Sequence, residues 1–271
     1  MRVVLVLVLA LATATTGEAQ RGGRGRGRGG FEIRLATEDS FDGLFQFCRI
    51  AFRGNRAGDG AGWSVDYPRA DINMSIRLSE LTKTQVSFAA PDEPNHLVVQ
   101  LTTDALFQCP FVMMTEVGAA YLDDAEAAAL RAYVLKGGFL WADDFWGEYA
   151  WEVWTDQLAK ALPPAQYPIR DLPPDHPLFR SQFILDRVPQ IASIGFWAGS
   201  GGGTSERYED SAVPHARAIS DASGRIMVLM THNTDIGDSW EEEASNPRYF
   251  YEMSVNGYAF GINVLLYAMT H

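Results

Sequence analysis

The stretch that decides the fold runs from Phe111 to Asp144, FVMMTEVGAAYLDDAEAAALRAYVLKGGFLWADD. Its opening, FVMMTEV (111–117), is an apolar run of the kind that marks a strand covered on both faces. Asp123 and Glu126 then make a capping box, with Asp123 as N-cap and Glu126 at N3. Ala128, Leu130, Ala132, Val134 and Leu135 fill the helix. Gly137-Gly138 ends it, because glycine takes the left-handed C-terminal conformation without steric cost. FLWA (139–142) follows as a second buried strand. Strand, helix and strand at this spacing form a βαβ unit, with a right-handed crossover and two parallel strands. The expected fold class is therefore α/β with a mostly parallel central sheet.

Outward from that unit, LFQFCRIAF (44–52) reads as a first strand. Asp71 is placed to cap a short helix carrying Met74, Leu78 and Leu81. TQVSFA and HLVVQL read as two further strands, or as one strand interrupted by the turn PDEPN. A second long helix, about Glu148 to Leu162, stops at Pro163-Pro164, with Trp151 and Trp154 sharing a face. QYPIRDLPPDHPLF is Pro-rich and extended, and GSGGGTSE (199–206) reads as a mobile loop. HARAIS and RIMVLMTHN flank the turn DASG as a hairpin at the far side of the sheet. THNTDIGDSWEEE reads as a polar loop, and YAFGINVLLYAM as a buried C-terminal helix. That helix has an apolar run of about 12 residues, short of the ~20 that span a membrane.

The first 19 residues read as a signal peptide: Met1-Arg2, an apolar stretch from Val3 to Leu11, and small residues Gly17 and Ala19 before Gln20. Residues 20–30 are an Arg/Gly-rich flexible linker. Residues 31–271 have the length of a single large domain. That domain carries 17 basic and 33 acidic residues, a net charge of −16. Such a surface argues against a nucleic-acid partner and suits a cationic or neutral ligand, or a metal. Cys48 and Cys109 are the only cysteines. Their apolar surroundings read as those of buried free thiols, with a disulfide as the alternative in an exported protein.

Candidate chemistry concentrates in a few places. In open α/β sheets ligands bind outside the carboxyl ends of the strands. Asp143 and Asp144 stand just beyond FLWA, with Phe145 and Trp146 after them. Adjacent acids there can bind a cation or serve as acid and base. The ordinary alternative is a cap for the following helix. His232, Asn233, Asp235, Asp238, Trp240 and Glu241 form a second candidate group, against the alternative of a turn-rich loop capped by Asp238 or Ser239. Asp175 and His176 offer a titrating pair, or a structural turn before proline. Trp63, Asp66, Tyr67, Arg69 and Asp71 put aromatics beside acids, as sugar or cation binding would need, against the preferred alternative of an ordinary packed turn. No dedicated metal-ligand spacing, P-loop or G-x-S-x-G elbow is present. No cofactor follows from the sequence.

The blocks WSVDYPRAD, LFQCPFVMMTEVG, LRAYVLKGGFLWADDFWGEYAWE, DHPLF, THNTDIGDSWE and YAFGINVLLYAMTH resemble the bacterial domain-of-unknown-function family four-one-five-nine. The resemblance covers nearly all of 31–271. It implies a three-layer, flavodoxin-like sandwich similar to class I glutamine amidotransferases, in exported or envelope-associated proteins of unestablished activity. The central βαβ unit and DHPLF are also similar to trehalose-utilisation (ThuA-like) proteins. Where amidotransferases place a nucleophilic cysteine, this chain has Asp143 and Asp144. The expected function is an exported, periplasmic or secreted protein that binds a small polar ligand, such as a carbohydrate or envelope fragment, in an acidic, Trp-rich crevice. Asp143, Asp144 and His232 would carry any catalysis. Asp66, Phe145, Trp146, Asp175, His176, Asn233, Asp235, Asp238 and Trp240 would contact ligand. A carboxylate- or metal-dependent hydrolase is the alternative, and envelope proteins are further candidate partners. A protein adaptor whose tryptophans are merely core is the bland reading.

Overall fold

The structure, a computed structural model, describes residues 33–271. The expected signal peptide and linker lie outside those residues. Seven strands form the main sheet: β1 (Phe47–Ile50), β2 (His96–Val99), β3 (Phe111–Thr115), β4 (Phe139–Asp143), β5 (Arg170–Asp171), β6 (His215–Ser220) and β7 (Ile226–His232). Their order across the sheet is β2-β1-β3-β4-β7-β6-β5. The first five in that order are mutually parallel; β6 runs antiparallel to β7, and β5 antiparallel to β6. The expected βαβ unit is present, with β3 and β4 paired from Phe111↔Phe139 to Thr115↔Asp143.

The central strands are buried along their whole length, so pleating alone decides which face each side chain meets. Ile50, Val112, Met114, Leu140, Ala142, Val228 and Met230 share one core cluster with helices α2 (Asp124–Leu135) and α3 (Gly147–Ala161). Phe47, Phe111, Met113, Phe139, Trp141 and Leu229 share the other. That second cluster is closed by α1 (Arg69–Leu81), α5 (Ile236–Glu241) and α6 (Val255–Thr270). A further short helix, α4 (Ile194–Gly199), lies in the connection before β6. The sheet therefore carries helices on both faces. Each fully buried aliphatic side chain, such as Leu130 or Val112, contributes about 1.5–3 kcal/mol.

Local chemistry accounts for the element boundaries. The Asp123 carboxylate accepts from the Glu126 amide and the Glu126 carboxylate from the Asp123 amide, both at 2.9 Å, so the capping box forms as read. Asp71 does not cap α1. It lies inside the first turn, and its carboxylate is taken by Arg49 of β1. The segment read as a polar loop contains α5, whose N-cap is Asp235. The glycine-rich segment 199–206 is stitched down rather than open. Gly202 donates to the Trp197 carbonyl, Thr204 to the Gln190 side chain, and Glu206 accepts from the Ser193 amide. Cys48 and Cys109 are joined in a disulfide, not held as free thiols. Among the described residues no helix is long and apolar enough to cross a membrane.

Candidate functional site

The carboxyl edge of the parallel sheet gathers the acids. Asp143 closes β4 and is fully buried. One of its oxygens accepts from the Thr231 hydroxyl of β7; the other accepts from the Ile236 and Gly237 amides at 2.9 and 3.1 Å. Asp143 therefore caps a helix, though α5 rather than the helix that follows it. Burial raises its pKa to about 7, against the pull of those hydrogen bonds.

Asp144 has a different setting. Its backbone is left-handed, with φ of 54°, at the sharp turn between β4 and α3. Asp66 (62°), Glu116 (51°) and Asn233 (62°) share that conformation in the connections leaving β1, β3 and β7. Such backbone is uncommon for L-residues, Asn and Asp tolerating it best, and strained positions of this kind concentrate at functional sites. The Asp144 carboxylate accepts from the Trp146 indole at 3.0 Å and is 6% exposed. Burial first, then the charges of Glu116, Asp66 and Asp143, hold its pKa well above the usual carboxylate range.

Asp66, Asp235 and Asp238 complete the group. One carboxylate oxygen from each lies within 4.8 Å of the other two, and all three residues are buried. Asp235 Oδ1 accepts from the Asp238 amide at 2.8 Å, which makes it the α5 cap. Asp238 Oδ2 accepts from the Ile194 amide at 2.7 Å and the Tyr249 hydroxyl at 3.1 Å. Asp66 Oδ2 is buried without a hydrogen-bond partner. Burial, followed by the neighbouring acids, raises the pKa of Asp66 and Asp235 well above normal; burial raises Asp238 to about 7. Arg49 is the nearby cation acting on Asp66. Its guanidinium is engaged by both Asp71 oxygens and by the Trp63 and Val65 carbonyls. These three aspartates are the residues best placed to hold a metal ion. Asp238, Glu241 and Glu242 form a second, less buried group.

The other expected site residues are placed differently. His232 is buried, and both its ring nitrogens are occupied. Nε2 donates to the Gly147 carbonyl at 2.9 Å, and Nδ1 accepts from Arg217 at 3.3 Å. Its ring stacks on Phe145 with centroids 4.9 Å apart, and Trp151 packs beside both rings, tilted against His232 at 5.1 Å. Burial lowers its pKa to about 4, so it is neutral at pH 7. Asn233 accepts from the Gly147 amide and donates to the Val213 carbonyl. His232, Asn233 and Phe145 thus lock the start of α3 against the end of β7. Trp240 is fully buried against Trp141 and Phe47, in the core.

Asp175 and His176 do not reach this edge. His176 accepts from the Leu178 amide and packs near Tyr267, which itself meets Phe139 and the Ile226 amide. Phe139 and Ile226 begin β4 and β7, so the pair belongs to the amino edge, a strand length of roughly 15 Å away. A cavity of about 760 Å³ also lies at the amino edge, lined by Phe45, Gln46, Pro110 and Met269. Another, of about 600 Å³, is lined by Gln190, Ile191, Thr204 and Met253. Neither is lined by the clustered acids, which are closely packed.

Two contributors escaped the sequence reading. Glu116 follows β3 as Asp144 follows β4, and it accepts from the Ala61 and Gly62 amides. An acid directly after a buried strand was the available signal. Arg49 is fully buried in β1, and a lone arginine within an apolar strand was the signal there. The model of a family described as "Domain of unknown function (DUF4159)" matches residues 47–269. No curated protein matches the chain.

Proposed function

The chain belongs to this domain-of-unknown-function family, and we propose that it is an exported protein that binds a small polar ligand at the carboxyl edge of its sheet, using carboxylates and no thiol nucleophile. The observation that carries the reading is Asp144. It is an acid on a left-handed turn, at the strand-to-helix junction, surrounded by other inward-facing acids. The order β2-β1-β3-β4-β7 of the parallel strands follows the doubly wound 2-1-3-4-5 pattern, which supports a flavodoxin-like, glutamine-amidotransferase-like fold. In such sheets the strand order reverses between β1 and β3, and ligands sit outside the carboxyl ends there. The cysteine pairing supports the rest: a disulfide suits an oxidising compartment and leaves neither sulfur free as a nucleophile.

Calorimetric titration with small sugars, amino sugars and polyols, in chelator-treated buffer, tests this reading. At least one member should bind, and Asp144→Asn should weaken that binding tenfold or more while circular dichroism and melting remain those of a folded protein. Absence of binding across the panel, or binding indifferent to Asp144→Asn, would defeat it. A carboxylate- or metal-dependent hydrolase is favoured by one observation, the raised pKa of Asp144. Burial and the neighbouring acids favour the protonated form of Asp144, the form a general acid uses. Turnover of a glycoside or ester panel, lost in folded Asp144→Asn, would establish that alternative.

A further inference from the structure

We propose that Asp66, Asp235 and Asp238 form a binding site for a divalent, oxygen-seeking cation of calcium's size. Three carboxylate oxygens within 4.8 Å of one another need at most a few tenths of an ångström of inward movement to touch one ion at the ~2.3–2.6 Å typical of calcium. Carboxylate donors without sulfur or imidazole select calcium, magnesium or manganese over softer metals. Proximity alone is common among acids, and the deciding observation is Asp66 itself. It is 6% exposed, and its Oδ2 has no hydrogen-bond partner. A buried acceptor left unpaired costs about 1–3 kcal/mol, more when charged, so the atom calls for a ligand.

The position of that oxygen points the same way. A Cβ built on Gly237 would meet Asp66 Oδ2 at 2.5 Å and Asp235 Oδ1 at 3.6 Å. The bare glycine lets the loop carboxylate reach the first turn of α5, on the side where Asp235 lies. Of the remaining cluster members, Asp143 has both oxygens engaged and Asp144 one. Asp143 serves the Thr231 hydroxyl and two α5 amides, and Asp144 accepts from Trp146. The cation site thus goes beyond the ligand reading built on Asp144 and does not require it.

Calcium titrated into the full chain after removal of metal with a chelator should bind at one site, with Kd of about 10⁻³ M or tighter. Magnesium should bind more weakly. Asp66→Asn should weaken calcium tenfold or more, and should melt no lower than wild type without metal, because it removes one of several buried acids that disfavour one another's charge. Asp156→Asn, on the exposed face of α3, should bind calcium as wild type does. Terbium luminescence sensitised through Tyr249, whose hydroxyl bonds to Asp238, gives a second readout that should fade with Asp66→Asn. Failure of calcium to bind, calcium binding unaltered by Asp66→Asn, or magnesium binding as tightly as calcium would overturn the proposal. The sugar panel, run without metal and read through Asp144→Asn, fails or succeeds separately.

Discussion

His232 illustrates how burial turns a titrating residue into a fixed part. Its neighbours are Phe145 and His215 stacked against the ring, Trp151 tilted against it, Arg217 at Nδ1 and Gly147 at Nε2. Desolvation disfavours the charged ring, the Arg217 and His215 charges add to that, and Asp210 opposes it. The folded pKa of about 4 lies below the ordinary 6.5, so the unfolded chain takes up the proton first. Acidification through that window therefore favours unfolding, and above pH 6.5 the effect vanishes. The full difference amounts to about 3 kcal/mol. The buried aspartates act in the opposite sense, since carboxyls with raised pKa hold their protons in the folded state. Urea unfolding at pH 6.5 and at pH 4.5, in wild type and in His232→Gln, separates the two. Wild type should lose more stability than the variant over that interval, with the carboxylate contribution common to both; equal losses would show that His232 is not buried neutral.

At the scale of elements, one ion pair joins β1 to α1. Arg49 and Asp71 are both wholly buried, with Nε bonded to the two carboxylate oxygens at 3.1 Å each. Removing one partner strands the other charge, at a cost of about 3–5 kcal/mol. Asp71→Ala should lower unfolding free energy by that amount, and Arg49→Met/Asp71→Leu should recover most of it; denaturant titration measures both. The pair also shows where reading a sequence stops. The β3-α2-β4 unit was legible because its signals are local: an apolar run, a capping box and a glycine stop within 34 residues. Asp71 reads as a cap in the sequence because its true partner lies 22 residues away on another element. The helix α5 reads as a loop in the sequence because six residues are too few to show a period. Asp143 and Asp144 were placed correctly at a strand end, and Asp66, Asp235 and Asp238 were singled out. Which of them share a site depends on lateral strand order, and so Asp175 and His176 could not be told apart from them.

The molecule as a whole is organised by the two edges of its sheet. The acids occupy the carboxyl edge, and the disulfide, with Cys109 just before β3, fastens the region where β1 and β3 begin. Two cysteines 61 residues apart become neighbours only once those strands lie side by side, which no local pattern reveals. A cross-link across that separation restricts the unfolded chain, and loop-closure entropy puts its contribution at about 4 kcal/mol. Both sulfurs also lie in the core shared with α2 and α3, so their loss leaves small voids that add to the cost. Cys48→Ala/Cys109→Ala should therefore unfold at lower urea concentration, and its denaturant slope should rise, because the freed unfolded chain exposes more surface. An unchanged slope with a lower midpoint would place the loss in native packing; an unchanged midpoint would show that the cross-link contributes nothing to folding.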